Sequence, residues 1–181
     1  MYTHPPRNDG FTLMELTIAV AIAAILVAVS APSMKRTWRQ ANEQRAYHSM
    51  SSSLALARIH AVTRGHPVTV CPSSDQLTCT GGTDWSKGWL VYLDPIRENQ
   101  PSTSDAIVES LPALRGGVSM HTSYGRHRIR YRPNGRSPGT NLSLSLCATD
   151  TSELAGRIVI SNAGRTRIER IDSGLPCPDH Q

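Results

Sequence analysis

The sequence predicts an α+β protein, with one long N-terminal helix whose second half packs on an antiparallel β head. Three observations predict it. From Leu16 to Ala31 the chain carries no charge. Beyond Pro32, Ala46, Met50, Leu54, Ala57 and Ala61 recur at spacings of three and four, which is one stripe of a helix. After residue 64 that period vanishes, and short β-prone runs follow, separated by Gly, Pro, Asn and Asp.

The helix comes first. Its apolar half is about long enough to cross a bilayer core, which takes roughly 20 helical residues. Glu15 lies just inside that run, where a carboxylate is costly and usually functional. A plain signal anchor would also be apolar. A secretory signal peptide would carry a basic segment before its apolar run and a cleavage site after it. Here the leader, Met1 to Gly10, holds one Arg (Arg7) and one Asp (Asp9), and the cleavage signal precedes the run. The second half keeps Arg45, His48, Ser52 and Arg58 off the apolar stripe. One helix is therefore predicted from about Thr12 to Thr63, kinked near Pro32, where the imide removes a backbone hydrogen bond. Arg64-Gly65 ends it, and His66-Pro67 starts extended chain.

The remainder reads as strands over Pro67–Cys71, Trp89–Leu93, Ala106–Leu111, Val118–Thr122, His127–Arg132, Leu142–Cys147, Arg157–Ser161 and Thr166–Ile171. Leu142, Leu144 and Leu146 alternate with Ser143 and Ser145, the pattern of a half-buried strand. No long linker, low-complexity run or internal repeat divides residues 64–181, so one head domain is expected. The single Phe lies in the N-terminal run, so the head's core rests on Leu, Ile and Val with Trp85, Trp89 and Tyr92.

Gly10-Phe11-Thr12-Leu13-Met14-Glu15, followed by an apolar helix, resembles the N-terminus of type IV pilins and type II secretion pseudopilins. The resemblance implies the type IV pilin fold and cleavage by a prepilin peptidase between Gly10 and Phe11, with N-methylation of Phe11. Glu15 then becomes an assembly residue, pairing with the N-terminal amine of a neighbouring subunit. It also implies four segments: a leader at 1–10, a transmembrane and assembly helix at 11–35, its amphipathic continuation at 36–64, and a β head at 65–181. Lys35, Arg36, Arg39 and Arg45 follow the span, a basic end that the positive-inside rule assigns to the cytoplasm. The resemblance puts that end outside, and the cleavage motif is the more specific signal. The segment Trp85-Ser86-Lys87-Gly88-Trp89-Leu90-Val91-Tyr92-Leu93-Asp94 is similar to a signature of the FimT/GspH group of minor pilins. Physically, it reads as two Trp anchoring a strand in the core.

Four cysteines, Cys71, Cys79, Cys147 and Cys177, include no Cys-x-x-Cys pair, which argues against zinc. A head exported behind a helical span meets an oxidising compartment, where thiols pair. Cys71 and Cys79 enclose a short loop rich in Pro, Ser and Asp and are natural partners, leaving Cys147 for Cys177, which ties down the tail. Seven scattered histidines show no ligand spacing, and there is no Gly-x-Ser-x-Gly or Ser/His/Asp arrangement. No enzyme activity, cofactor or metal is expected.

Charge is the second informative feature. The formal net charge is +5, with seventeen Arg against two Lys. Residues 115–170 hold ten Arg against three acids, a local +7. Arg suits phosphate because its planar fork donates two parallel hydrogen bonds. Arg126, Arg128, Arg130 and Arg132 alternate with His127, Ile129 and Tyr131. On a strand they would share one face about 7 Å apart, as a phosphate-facing row or as a solvated sheet face with some Arg paired to acids. Gly164-Arg165-Thr166-Arg167 resembles the Gly-Arg-x-Arg motif of FimT-type pilins. The resemblance implies DNA contact by Gly164, Arg165 and Arg167, with Arg126, Arg128, Arg130, Arg132, Arg136 and Arg170 as extensions. A structural turn, or an interface to another minor pilin, accounts for the same residues.

The expected protein is a minor pilin that enters or caps a pilus and binds extracellular double-stranded DNA without sequence preference, for uptake in natural transformation. Its partners would be major and minor pilins, prepilin peptidase and the inner membrane. The head would be periplasmic before assembly and at the cell surface in the pilus. The alternatives are a pilus-priming minor pilin resembling FimU, without DNA binding, and a type II secretion pseudopilin resembling GspH.

Overall fold

The computed structural model describes residues 11–123, 125–139, 142–171 and 174–178, without the side chains of 29–33 and 36. Gly10 and the rest of the leader, residues 1–10, lie outside the described residues, as does the side chain of Pro32, the site of the expected kink. Helix α1 runs Leu13–Arg64. The chain divides into two compact units at Trp38/Arg39.

In the first unit, Thr12 caps the helix. Its Oγ1 accepts a hydrogen bond from the Glu15 amide at 3.3 Å, and its carbonyl accepts one from the Leu16 amide. The Thr12 side chain thus satisfies one of the amides that a helix start leaves unpaired. Phe11, Leu13, Leu16, Ile18, Val20, Ile22 and Ile25 are all exposed in the single chain. Among the described residues, no helix is long and apolar enough to cross a membrane.

The second unit is the head. The predicted stripe of Ala46, Met50, Leu54, Ala57 and Ala61 is buried, and Tyr47 and Ser53 join it. The helix stops at Gly65, whose φ of +67° continues past the last turn in a conformation that favours glycine.

All eight strands expected from the sequence form. They are β1 (Val68–Pro72), β2 (Gly88–Leu93), β3 (Ile107–Pro112), β4 (Val118–Thr122), β5 (Ile129–Tyr131), β6 (Leu142–Ala148), β7 (Leu154–Ile160) and β8 (Thr166–Arg170). A single 3-10 turn, Ser104–Ala106, precedes β3. Two four-stranded sheets result, ordered β3-β2-β1-β5 and β4-β6-β7-β8, with every pairing antiparallel. Period-two alternation decides the faces. In β7, Leu154, Gly156, Ile158 and Ile160 are buried while Ala155, Arg157 and Val159 are partly exposed. Val68, Val70, Trp89 and Val91 from the first sheet share one core with Val118, Met120, Leu142, Leu144, Leu146, Ile158 and Ile160 from the second. The helix stripe belongs to that same core.

The paired Trp are anchors. Trp85 and Trp89 are 0% and 1% exposed, and the Trp89 Nε1–H donates to Ser53 Oγ at 3.0 Å. The Ser53 hydroxyl donates in turn to Glu109 on edge strand β3. A carboxylate turned inward on an edge strand discourages pairing with another chain, and Pro112 ends the same edge.

Cys71 is bonded to Cys79 and Cys147 to Cys177. Inside the smaller loop, Asp75 accepts hydrogen bonds from the Thr78 hydroxyl and from the Thr78 and Leu77 amides. These hold its carboxyl well below the usual carboxylate range, the Thr78 side chain contributing most.

Leu54 is fully buried. Leu54→Ala should therefore lower head stability by about 2–5 kcal/mol. Ser52→Ala, on the exposed side of the same turn, should change it by less than about 0.5 kcal/mol. Urea unfolding of the two variants checks this, and equal losses would mean that the stripe does not carry the packing.

Candidate nucleic-acid interface

The arginine row expected over residues 126–132 does not form. Strand β5 covers only Ile129–Tyr131, so a single member of the row, Arg130, lies on a strand. Its guanidinium is turned to a buried acid. Arg130 Nη2 lies 2.8 Å from Asp94 Oδ2, on a side chain that is 1% exposed. Nε donates to Thr69 Oγ1 at 3.0 Å, and Nη2 also reaches the Glu98 carbonyl at 3.2 Å. Asp94 in addition accepts the Thr69 hydroxyl at 2.6 Å. A carboxylate this far from water needs a paired cation, and Arg130 is that cation. Arg128 precedes the strand and donates to Asn99. Arg126 belongs to the turn after β4, where its amide donates to the Ser123 carbonyl.

Arg132 and Arg136 flank a tight turn at the far end of β5. The Gly135 amide donates to the Arg132 carbonyl, and the Arg132 amide to the Arg136 carbonyl, both at 2.8 Å. Both side chains are exposed.

The Gly164-Arg165-Thr166-Arg167 segment forms the β7–β8 hairpin. The Gly164 amide donates to the Ser161 carbonyl at 2.8 Å, and the Ser161 amide to the Arg165 carbonyl at 3.0 Å. Gly164 has a φ of +76° and is buried. A Cβ there would run into the Gly135 carbonyl oxygen and press on the Tyr131 ring. Only glycine allows this hairpin to seat on the Arg132–Arg136 turn. The Ser137 amide reinforces the contact by donating to the Asn162 carbonyl at 3.2 Å. Beneath it lies Tyr131, whose phenol burial pushes up from its ordinary pKa.

The two loops are thus joined at Gly135 and Gly164. Arg136 and Arg165 each sit one residue away, a Cα step of about 3.8 Å. Among the described residues, the guanidinium groups of Arg132, Arg136 and Arg165 form no ion pair, and all three are exposed. The other members of the expected set differ. Arg167 pairs with Glu169 two residues on, at 2.6 Å. Arg170, at the opposite end of β8, donates to Gln44 on the helix at 2.9 Å.

Sequence reasoning missed Arg58. It lies on α1 and donates from Nε to the Gly135 carbonyl at 3.0 Å and from Nη2 to the Ala163 carbonyl at 3.4 Å. The one signal available was its position beside the buried stripe. Asp94 as the partner of Arg130 was also missed; the two are separated by 36 residues of chain and meet through β1. Among the described residues, no group of His, Cys, Asp and Glu could hold a metal ion.

Comparison with known proteins agrees with this architecture. A family model for the type II transport protein GspH matches residues 46–164, and one for the prokaryotic N-terminal methylation motif matches residues 5–31. The structure is similar to that of the type IV minor pilin FimU of Pseudomonas aeruginosa, with a TM-score of 0.55 and 18% identity over 70% of this chain and 91% of FimU. It is also similar to the minor pseudopilin EpsH from the type 2 secretion system of Vibrio cholerae, with a TM-score of 0.51 and 14% identity over 71% of this chain and 97% of EpsH. At these identities the likeness is one of fold. No curated protein matches the chain.

The arginines divide into those the fold uses and those it leaves free, and stability separates them. Arg130→Gln should cost roughly 3 kcal/mol, because it leaves the Asp94 carboxylate buried without its cation. Arg136→Gln, fully on the surface, should stay within about 0.5 kcal/mol of the parent. Thermal unfolding of both variants checks this, and an unaffected Arg130→Gln would remove the internal role assigned to Arg130.

Proposed function

This chain belongs to the GspH family, the minor pilins and pseudopilins of the FimT/GspH kind, and from that premise we propose that it is processed as a prepilin and presents an arginine site that binds DNA. The observation that carries the DNA reading is the convergence of Arg132, Arg136 and Arg165 on two loops that touch at Gly135 and Gly164. Three exposed guanidinium groups without carboxylate partners among the described residues suit the phosphate oxygens of a nucleic-acid backbone. Such contacts give affinity without sequence preference, as capture of extracellular double-stranded DNA requires. Arg167 contributes once its exposed pair with Glu169 exchanges for phosphate, since such surface pairs are weak. Arg126, Arg128 and Arg170 stand farther from the two-loop contact and act at most as a flanking field.

The first unit supports the processing half of the proposal. Leu13, Leu16, Ile18, Val20, Ile22 and Ile25 lie on opposite sides of the helix and are exposed, a surface that water disfavours. Lipid covers it before assembly, and neighbouring helices cover it in a filament. The head is then periplasmic in the precursor and at the cell surface in the pilus. Glu15 meets the N-terminal amine of Phe11 on an adjacent subunit.

A second reading, an assembly subunit without DNA contact, has its own support. Close packing explains Gly164 fully, and Glu169 already answers Arg167. The two readings part on DNA binding alone.

Full-length chain in detergent should retard a mixed-sequence DNA duplex at low salt. Arg136→Gln combined with Arg165→Gln should weaken binding and reduce the log–log salt slope by roughly 2, about 0.9 for each lost phosphate contact. Retention by the double variant equal to the parent's, or no retention by the parent, would leave the assembly reading in place.

Mass spectrometry of membrane-derived chain should find an N-methylated Phe11 terminus. Glu15→Ala should be cleaved normally but enter filaments poorly. An intact Met1 terminus would end the prepilin reading.

A further inference from the structure

We infer that Arg58 is the positioning residue of the arginine site: it clamps the two loops into one anion-binding surface without touching the anion itself. The inference rests on the DNA reading above and adds to it a residue on a different element.

The geometry is specific. Arg58 is partly buried on α1, and its guanidinium spends Nε on the Gly135 carbonyl and Nη2 on the Ala163 carbonyl. Those carbonyls belong to different loops, one carrying Arg132 and Arg136 and the other Arg165. Each is adjacent to the point where Gly164 seats against Gly135. A carbonyl turned inward at a tight turn needs a donor. The Gly135 carbonyl oxygen is crowded by Gly164, and it accepts a hydrogen bond from Arg58. A planar fork can serve two such acceptors at once, whereas an ammonium is a single point on a flexible stem. The charge matters too. Arg132, Arg136 and Arg165 repel one another when gathered, and hydrogen bonds to a cation are stronger than neutral ones. The Arg58 clamp opposes that repulsion through the backbone rather than by adding a carboxylate, which would cancel the field that an anion senses. The head thus holds three like charges together and leaves them all unneutralised.

A clamp, a phosphate contact and a general stability residue predict different results in a double-mutant cycle. Full-length chain in detergent is titrated with a short mixed-sequence DNA duplex at low salt. Arg58→Gln and Arg165→Gln should each weaken binding roughly three- to fivefold, the range of a single exposed ion pair. Their combination should be scarcely weaker than either alone, because without the clamp the Arg165 loop no longer adds to the site. Arg58→Gln combined with Arg126→Gln should multiply. Arg58→Lys should recover part of the loss. Amide exchange on the same variant reports the clamp without DNA. In Arg58→Gln, the Gly164 and Ser137 amides should exchange faster while strand β6 is unchanged.

Full multiplicativity of Arg58→Gln with Arg165→Gln would overturn the inference. So would unchanged exchange at Gly164 and Ser137. If the parent binds no DNA but those amides loosen in Arg58→Gln, the DNA reading fails and the clamp stands as an element of the fold.

Discussion

One helix has to cover two sheets, and the rest of the head follows from that constraint. Each four-stranded sheet has an apolar inner face, and each must be removed from water. The stripe on α1 contributes to a single core that contains residues of both. Three of its five members are alanines, Ala46, Ala57 and Ala61, and small residues let helix and strand backbones approach closely. Met50 and Leu54 supply volume between them. The outer face of the first sheet needs a separate solution. Cys71, Cys79, Leu90 and Tyr92 form a second, smaller cluster there, with the Cys71–Cys79 bridge within it.

Some of the polar groups inside this arrangement are paired, while Trp85 Nε1, Asp94 Oδ1 and the Tyr47 and Tyr131 hydroxyls find no hydrogen-bond partner among the described residues. Asp94 is the deepest acid, and Arg130 and Thr69 answer it. Ser53 sits in the middle of the helix stripe and links Trp89 to Glu109, joining helix, central strand and edge strand through two hydrogen bonds. An apolar residue at 53 would leave the Trp89 indole N–H without its acceptor, and buried donors are costly to strand. The same logic governs Arg58, whose charge serves two carbonyls where the chain turns too tightly to satisfy them with its own amides.

The fold was largely legible because it is written in period. The helix stripe and all eight strands follow from spacing, and their limits fall within a few residues of the expected ones. Cysteine pairing followed from loop length and composition. The site was legible only in part. Gly164 and Arg165 stand out as a local motif, but their meeting with Gly135 and Arg136 depends on two hairpins being brought together by tertiary packing. The alternation of Arg126, Arg128, Arg130 and Arg132 with His127, Ile129 and Tyr131 runs beyond the strand that forms, and of its two readings the pairing of Arg with an acid holds at Arg130. Ile129 and Tyr131 are indeed inward, as alternation requires, but the strand ends with them. Pro133 follows Arg132 directly; it has no N–H to continue the ladder, and its fixed φ suits the second position of the turn from Arg132. Glu15 shows a different limit. Its place three residues after Thr12 also fits a Thr-x-x-Glu helix start, so an acid there has a local explanation beside the assembly role that the resemblance implies.

The local excess of positive charge therefore shrinks once the structure assigns each arginine its contacts. Arg130 balances Asp94, and Arg167 meets Glu169. Arg128 and Arg170 hold side-chain amides. What survives as unpaired charge among the described residues near the two-loop contact is Arg132, Arg136 and Arg165, fewer groups than the sequence offered but on adjoining loops. Gathering matters more than number for a phosphate backbone. Charges scattered beyond a Debye length of about 8 Å at physiological salt act almost independently. Charges held on adjoining turns act on the same stretch of backbone. A fold that only needed solubility could spread its arginines. This one builds a glycine–glycine contact, with a fourth, partly buried arginine, Arg58, bonded to both loops, and carries three exposed arginines beside it.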